Sequence, residues 1–232
     1  MLTKQTLRQL NHLLPRRPMP VTIRSGGAKG LRIVIDVRYE KFLWRGEHEP
    51  HLAQALAETL QLGDVFWDVG AHIGYFATQA ARLVGSGGHV VAFEPMSETA
   101  ARLARGVALN GFTNVVIVGE AIAAETGTRS LRSGRSSAAA SLQRSTTHSD
   151  HQTVTVGTLD GYLSRHPIPN LVKVDVEGYE TEVLRGGGEL IAMRRTAFLV
   201  EFTNEELRQE ALELLRGYDV AHVGDNHWLL TP

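Results

Sequence analysis

The 232-residue sequence has no cysteine, which excludes disulfides, thiolate metal sites and a cysteine nucleophile and leaves the redox compartment open. It also lacks an excess of either charge. With 24 Lys and Arg against 25 Asp and Glu, the formal net charge is -1, and nothing marks nucleic acid as the main partner. No apolar run approaches the roughly 20 residues of a spanning helix. The opening "MLTKQTLRQLNHLLPRRPMP" has leucines at helical spacing but neither the continuous apolar stretch nor the small-residue cleavage site of a signal peptide. A cytoplasmic protein without a membrane partner is the simplest reading of these absences. No solenoid repeat is visible.

What is present is 43% hydrophobic residues, enough for one large α/β domain with a buried core. The N-terminal leucines predict a helix, and "PVTIRS" with "GLRIVIDVRYEKFLW" predicts a small hairpin around a Gly-Gly turn. Together they make residues 1–48 an extension of helix and hairpin, with residues 49–232 as the main domain. "EPHLAQALAETLQLG" follows as a helix that Gly63 should cap.

From Val65 strand alternates with helix: "VFWDVG", "IGYFATQAARLVG", "HVVAFEP", "SETAARLARGVALN", "NVVIVGEAI". Such alternation means parallel strands joined by right-handed crossovers, hence a doubly wound, mostly parallel α/β sheet. Ser97 is the expected N-cap of the second helix, and Asn110-Gly111 closes it. Residues Ser133 to Gln152 break the pattern and predict a surface loop or a substrate-side flap. Afterwards come the strand "LVKVDVEG", a helix through "YETEVLRGGGELI", the strand "AFLVEFT" and the helix "EELRQEALELLRG". "YDVAHVG" and "HWLLTP" predict a closing hairpin whose last strand inserts antiparallel at the sheet edge.

The turn "DVGAHIGYF" lies where a doubly wound sheet binds ligands, beyond the carboxyl end of a strand. A dinucleotide fingerprint needs G-x-G-x-x-G, but counting from Gly70 puts His72 and Tyr75 where the second and third glycines belong. The pattern is instead acidic-x-Gly-x-x-x-Gly, with Asp68 suited to an ammonium group and ill suited to a phosphate. Glu94 ends the next strand 24 residues beyond Gly70, at the spacing where a carboxylate accepts ribose hydroxyls. A ribose joined to a cationic amino-acid tail describes S-adenosylmethionine.

The blocks "GDVFWDVGAHIGYF", "VVAFEP", "TLDGYL" and "VKVDVEGYETEVLRGG", in this order, resemble the FkbM-type family of class I S-adenosylmethionine-dependent methyltransferases. The resemblance implies a seven-stranded Rossmann-like methyltransferase sheet with an antiparallel terminal strand. It further implies methyl transfer to a hydroxyl oxygen, often on sugars or natural products. At the matched positions Asp68, Gly70, Ala71, His72 and Gly74 would surround the methionine part, Glu94 the ribose, and Ala121 and Ile122 the adenine. Glu49-Pro50 matches a Glu-Pro of the family near a helix start and adds Glu49 to the cofactor-binding set; the competing reading is a carboxylate favoured by the helix dipole.

In "LVKVDVEGYE" two charges interrupt what should be an unbroken apolar strand. Lys173 and Asp175 project to one face, with Glu177 just beyond the strand end. They form either a structural ion pair or a polar cluster beside the transferred methyl. In the second reading Asp175 is the base or a metal ligand, Lys173 orients it and Glu177 assists. A magnesium variant would add Glu201 and Asn204 from "VEFTNEE". The histidines show no H-E-x-x-H spacing, and His227 either faces the substrate or packs beside Trp228.

The expected activity is therefore O-methylation of a small hydroxylated acceptor, with homo-oligomerisation through the N-terminal helix left open. A nucleotide-dependent oxidoreductase and a non-enzymatic cofactor-binding scaffold are the alternatives, and lysine methylation of a protein also stays open.

Overall fold

The computed structural model describes residues 15, 17–132 and 151–232. The expected N-terminal helix and nearly all of the Ser133 to Gln152 segment lie outside the described residues. Strands β1 (Met19–Thr22) and β2 (Arg32–Ile35) form the expected antiparallel hairpin. The stretch after β2 does not continue as a strand. It turns at Asp36, whose carboxylate accepts the Arg38 N–H, and enters a short helix α1 (Lys41–Arg45) ended by Gly46. Helix α2 (Pro50–Thr59) has proline in its first turn, where the missing N–H costs nothing. Its C-cap is Leu60 rather than Gly63, and the Gly63 N–H bonds instead to the Val84 carbonyl.

Five parallel strands build the centre: β3 (Val65–Val69), β4 (His89–Phe93), β5 (Val115–Val118), β9 (Leu171–Val174) and β10 (Ala197–Glu201). The crossovers are α3 (Tyr75–Val84), α4 (Ser97–Leu109), and the pair α6 (Glu180–Arg185) and α7 (Gly188–Ala192), which breaks the single expected helix at Gly186-Gly187. The N-cap of α4 is Met96, and Ser97 is its first helical residue. Helix α8 (Glu205–Leu214) leads to β11 (Asp219–Gly224) and β12 (His227–Thr231). The sheet order is β11-β12-β10-β9-β3-β4-β5. The last strand is antiparallel as expected, but it inserts between β10 and β11, so that β11 is the edge.

The expected strand "NVVIVGEAI" is two strands in different sheets. After β5 the chain leaves the main sheet, and β6 (Ala121–Ile122) pairs with β8 (His151–Gly157), which also pairs with β7 (Gly127–Arg132). A short helix α5 (Leu159–Tyr162), capped by the Thr158 hydroxyl, returns the chain to β9.

Alternation along the strands sorts the core into two layers. Phe66, Ala92, Leu171 and Leu199 face α2, α3, α4 and the β1–β2 hairpin, while Trp67, Val91, Val172 and Phe198 face α5 to α8. Strand order reverses between β3 and β9, and the crevice above that point is where a doubly wound sheet takes ligands.

Candidate active site

A cavity of about 280 Å³ lies at the carboxyl ends of β3, β4 and β9. Its floor is the turn after β3. Gly70 has φ 81°, and a Cβ there would lie 2.0 Å from the Asp175 carbonyl oxygen, so only glycine lets the two strand ends approach this closely. The Gly70 and Ala71 N–H groups donate to the Phe93 carbonyl, fixing the turn against the end of β4. Gly74, also left-handed, fits under Leu103 and starts α3 without lining the cavity. His72 takes a left-handed conformation at φ 50° and lines the cavity, and burial lowers its imidazole pKa to about 4.

Glu94 sits just past β4 on the opposite wall. One of its carboxylate oxygens accepts the His72 N–H and the other the Met96 N–H, each at 2.9 Å. Burial raises its pKa to about 7 in spite of these two donors. Each oxygen keeps a second lone pair for a partner in the cavity. Beyond Glu94 the wall is apolar, with Phe93, Ala121, Ile122 and Leu131; Glu120 stands beside them, its carboxylate accepting the Tyr162 hydroxyl at 2.7 Å.

The polar cluster of β9 forms as the alternation predicts. Lys173 Nζ lies 3.0 Å from Asp175 Oδ2 and 3.4 Å from Asp68 Oδ1. Asp68 is fully buried behind the cavity wall and does not line it. Its charge is met by Lys173, so the ammonium it was expected to receive from a cofactor is supplied by the protein. Burial raises the Asp68 pKa against the opposing Lys173 charge.

Asp175 lines the cavity. Burial opposes its ionisation, but the Lys173 charge and hydrogen bonds from Glu201 and Lys173 prevail and hold it down at about 2. The neighbouring Glu201 is pushed the other way, to about 8, by burial and by its hydrogen bond and proximity to Asp175. In this pair the Lys173 charge favours the ionised form of Asp175, and burial favours the protonated form of Glu201. Glu177, left-handed at φ 49°, lines the rim, and burial raises its pKa. Asn204 is absent from the cavity wall, because its side-chain oxygen caps α8 on the Leu207 N–H at 2.9 Å. Among the described residues, no group of three or more His, Asp or Glu side chains is placed to hold a metal ion.

Glu49 reaches the cavity from the N-cap of α2, with φ 40°, and is held among histidines that are far apart in sequence. His48 Nδ1 lies 3.7 Å from one of its oxygens and His227 Nε2 3.8 Å from the other. Burial, reinforced by the Asp175 charge, raises the Glu49 pKa to about 7. Nothing in the sequence connects His227 with the segment "HEPH", although His48 and His51 are three positions apart. Lys173 and Asp175, by contrast, were placed on one face by their spacing alone.

The strand order, the reversal point and the carboxylate at the end of β4 define a Rossmann-like α/β fold of the methyltransferase type. The chain belongs to the FkbM methyltransferase family, whose domain model matches residues 68–220. It is 33% identical over 148 residues to the hexuronic acid methyltransferase AglP of Haloferax volcanii, a match covering 61% of this chain and 56% of that protein. The chain thus spans little more than half the length of that curated relative. Among solved structures it resembles methyltransferase FkbM of Methylobacillus flagellatus, with TM-score 0.51 and 16% identity over 72% of this chain and 43% of the other. A SAM-dependent O-methyltransferase of Thermotoga maritima gives TM-score 0.50 and 16% identity over 78% of this chain and 63% of the other. At these identities the structural likenesses bear on the fold.

Proposed function

We propose that the protein uses S-adenosylmethionine to methylate a hydroxyl of a small acceptor, with sugar acids the first class to examine. Glu94 carries the proposal: a buried carboxylate at the end of β4, oriented by two backbone donors, with lone pairs left for a vicinal diol. The surroundings fit the rest of the cofactor. Gly70 lines the cavity in a turn packed tightly against the Asp175 carbonyl, and Phe93, Ala121 and Ile122 offer an apolar slot of adenine character. Residues 49–232 would form the methyltransferase domain, and residues 1–48 would contribute to the acceptor side.

In this reading Gly70, Ala71 and His72 surround the methionine part, Glu94 takes the ribose hydroxyls, and Ala121 and Ile122 flank the adenine. A bound cofactor would supply an activated methyl group for transfer to the acceptor oxygen. Asp175 lines the same cavity as a fixed negative charge that would help to hold the acceptor in place. Lys173 holds Asp175 in place, and Glu177 closes the rim. The Lys173 charge keeps the Asp175 pKa low, which makes it a weaker proton acceptor than the raised carboxyl of Glu49. The relative's hexuronic acid recommends a sugar acid as the first acceptor.

Calorimetric titration with S-adenosylhomocysteine, run beside NAD and repeated with Glu94→Ala, tests the reading. Binding of S-adenosylhomocysteine alone, weakened at least about tenfold in the variant, is the expected result. Binding of NAD alone, or undiminished binding by Glu94→Ala, would overturn it.

A further inference from the structure

Removal of a hydroxyl proton leaves the question of which groups carry it away. Four side chains lie end to end from the cavity to the surface. Glu49 Oε2 faces His227 Nε2 at 3.8 Å, His227 Nδ1 meets His51 Nε2 at 3.1 Å, and His51 Nδ1 faces Asp225 Oδ2 at 3.7 Å. From His227 outward the exposure rises, with the His227 side chain 3% exposed, that of His51 18% and that of Asp225 80%, while Glu49 on the cavity wall is 22% exposed. Among the described residues, Glu49 Oε2 and His227 Nε2 are buried with no hydrogen-bond partner, and each is aimed at the other. A shift of less than 1 Å would bring them within hydrogen-bond distance, a tightening common when an empty site fills.

We propose that Glu49 accepts the proton of the acceptor hydroxyl and that His227, His51 and Asp225 conduct it to solvent; this rests on the methyl-transfer reading above. As the acceptor oxygen bonds to the methyl carbon, its proton moves to the cavity side of the Glu49 carboxylate, and rotation of the protonated carboxyl presents it at Oε2. From there it passes to His227 Nε2 while the Nδ1 proton of that ring moves to His51 Nε2, and the His51 Nδ1 proton leaves through Asp225 to water. One proton exits for each methyl transferred, and ring rotation restores the starting tautomers.

A neutral imidazole can receive at one nitrogen and release from the other, and burial keeps His227 neutral, with its pKa lowered to about 4. Glu49, raised to about 7, is basic enough to take a proton and acidic enough to give it up. The charged and titratable groups facing Glu49 and His227 are Asp175, Lys173, Asp225, Glu201, Tyr75, His48 and His51. The backbone clears space for it. A Cβ at Gly224 would lie 2.7 Å from His51 Cγ, and the register shift between His222 and Gly224 turns Asp225 toward that ring.

Two measurements decide the matter. The first follows methylation of para-nitrophenyl glucuronide by the full-length protein and by His51→Gln, which keeps a hydrogen-bonding amide but cannot relay a proton. The expected result is a kcat lower by about tenfold or more with KM within about twofold, partly restored by added imidazole. Gly224→Ala, which displaces His51 without altering any member of the line, should reproduce the loss. An active wild type matched in kcat by both variants would overturn the proposal.

The second measurement needs no turnover. In protein labelled with 15N at histidine, Glu49→Gln should change the tautomer or protonation of both His227 and His51. Unchanged ring nitrogens at His51 would overturn the relay. Should the wild type methylate no hydroxyl, the activity reading fails and the nitrogen spectra alone decide whether the line conducts.

Discussion

Lys173 on β9 and Asp68 on β3 are register partners in neighbouring parallel strands, and their charges meet at 3.4 Å in the fully buried interior. The amine also holds Asp175 at 3.0 Å, so one cation serves a structural carboxylate and a cavity carboxylate together. Burial would lower the Lys173 pKa, but Asp175 and Asp68 raise it well above the ordinary lysine value. Lys173→Met would leave the buried Asp68 and the half-buried Asp175 without a cation and should cost about 3 kcal/mol in guanidinium unfolding. Adding Asp68→Leu should recover part of that loss; no recovery would mean that the Asp68 contact contributes nothing.

The close approach at Gly70 gives a second expectation. In Gly70→Ala the new methyl meets the Asp175 carbonyl oxygen at 2.0 Å while φ stays at 81°, and both strain the turn. Stability should fall by at least about 2 kcal/mol, and S-adenosylhomocysteine binding should disappear at concentrations that saturate the wild type. Wild-type affinity in a folded Gly70→Ala protein would show that the turn does not contact the ligand.

The pH dependence of stability follows from signs that oppose one another. Glu49 and Glu94 have pKa values raised to about 7, so the stability they contribute is present below pH 4.5 and declines as pH rises through 7. His48, His72 and His227 are lowered to about 4, so theirs is present above pH 6.5 and is lost as pH falls toward 4. Between 4.5 and 6.5 the two sets offset each other. Above 6.5 the raised carboxyls act without the histidines, and the ligand-free protein should lose about 1 kcal/mol each for Glu49 and Glu94 between pH 6.5 and 8, with Glu201, raised to about 8, adding to the loss. Urea denaturation at the two pH values, with Glu94→Gln as control, measures this; an equal loss in the control would remove Glu94 from the account.

Behind the apolar wall, the Tyr162 hydroxyl donates to Glu120, and Gly157 makes room for both, since a Cβ there would lie 2.8 Å from the Tyr162 ring. Tyr162→Phe should cost about 1 kcal/mol of stability and weaken S-adenosylhomocysteine severalfold by releasing Glu120 from its set position. Calorimetry on the variant reads both effects, and unchanged affinity would separate Glu120 from the ligand.

Much of this was legible in the sequence because it is local or periodic. The central strands are apolar runs bounded by turns, and the shared face of Lys173 and Asp175 follows from a two-residue repeat. The neighbourhood of Glu94 and Gly70 followed from their spacing along one β-α-β unit. The partner of Asp68 was not legible, because parallel register joins residues 105 positions apart. His51 and His227, 176 positions apart, meet only through the packing of α2 against the last hairpin. The separate sheet of β6, β7 and β8 escaped notice because the chain leaves β5 through Gly119 and Glu120 without proline or a long break in the apolar pattern.

The insertion of β12 between β10 and β11 has a consequence for assembly. As the chain is synthesised, β11 precedes the strand that must lie between it and β10, so β10 presents an open row of backbone donors and acceptors until β12 arrives. Such an edge is a template for pairing with another chain. A chain interrupted between Gly224 and His227 would hold a formed turn at Gly70 beside an unguarded β10, and its characteristic failure would be edge-to-edge aggregation rather than simple loss of activity.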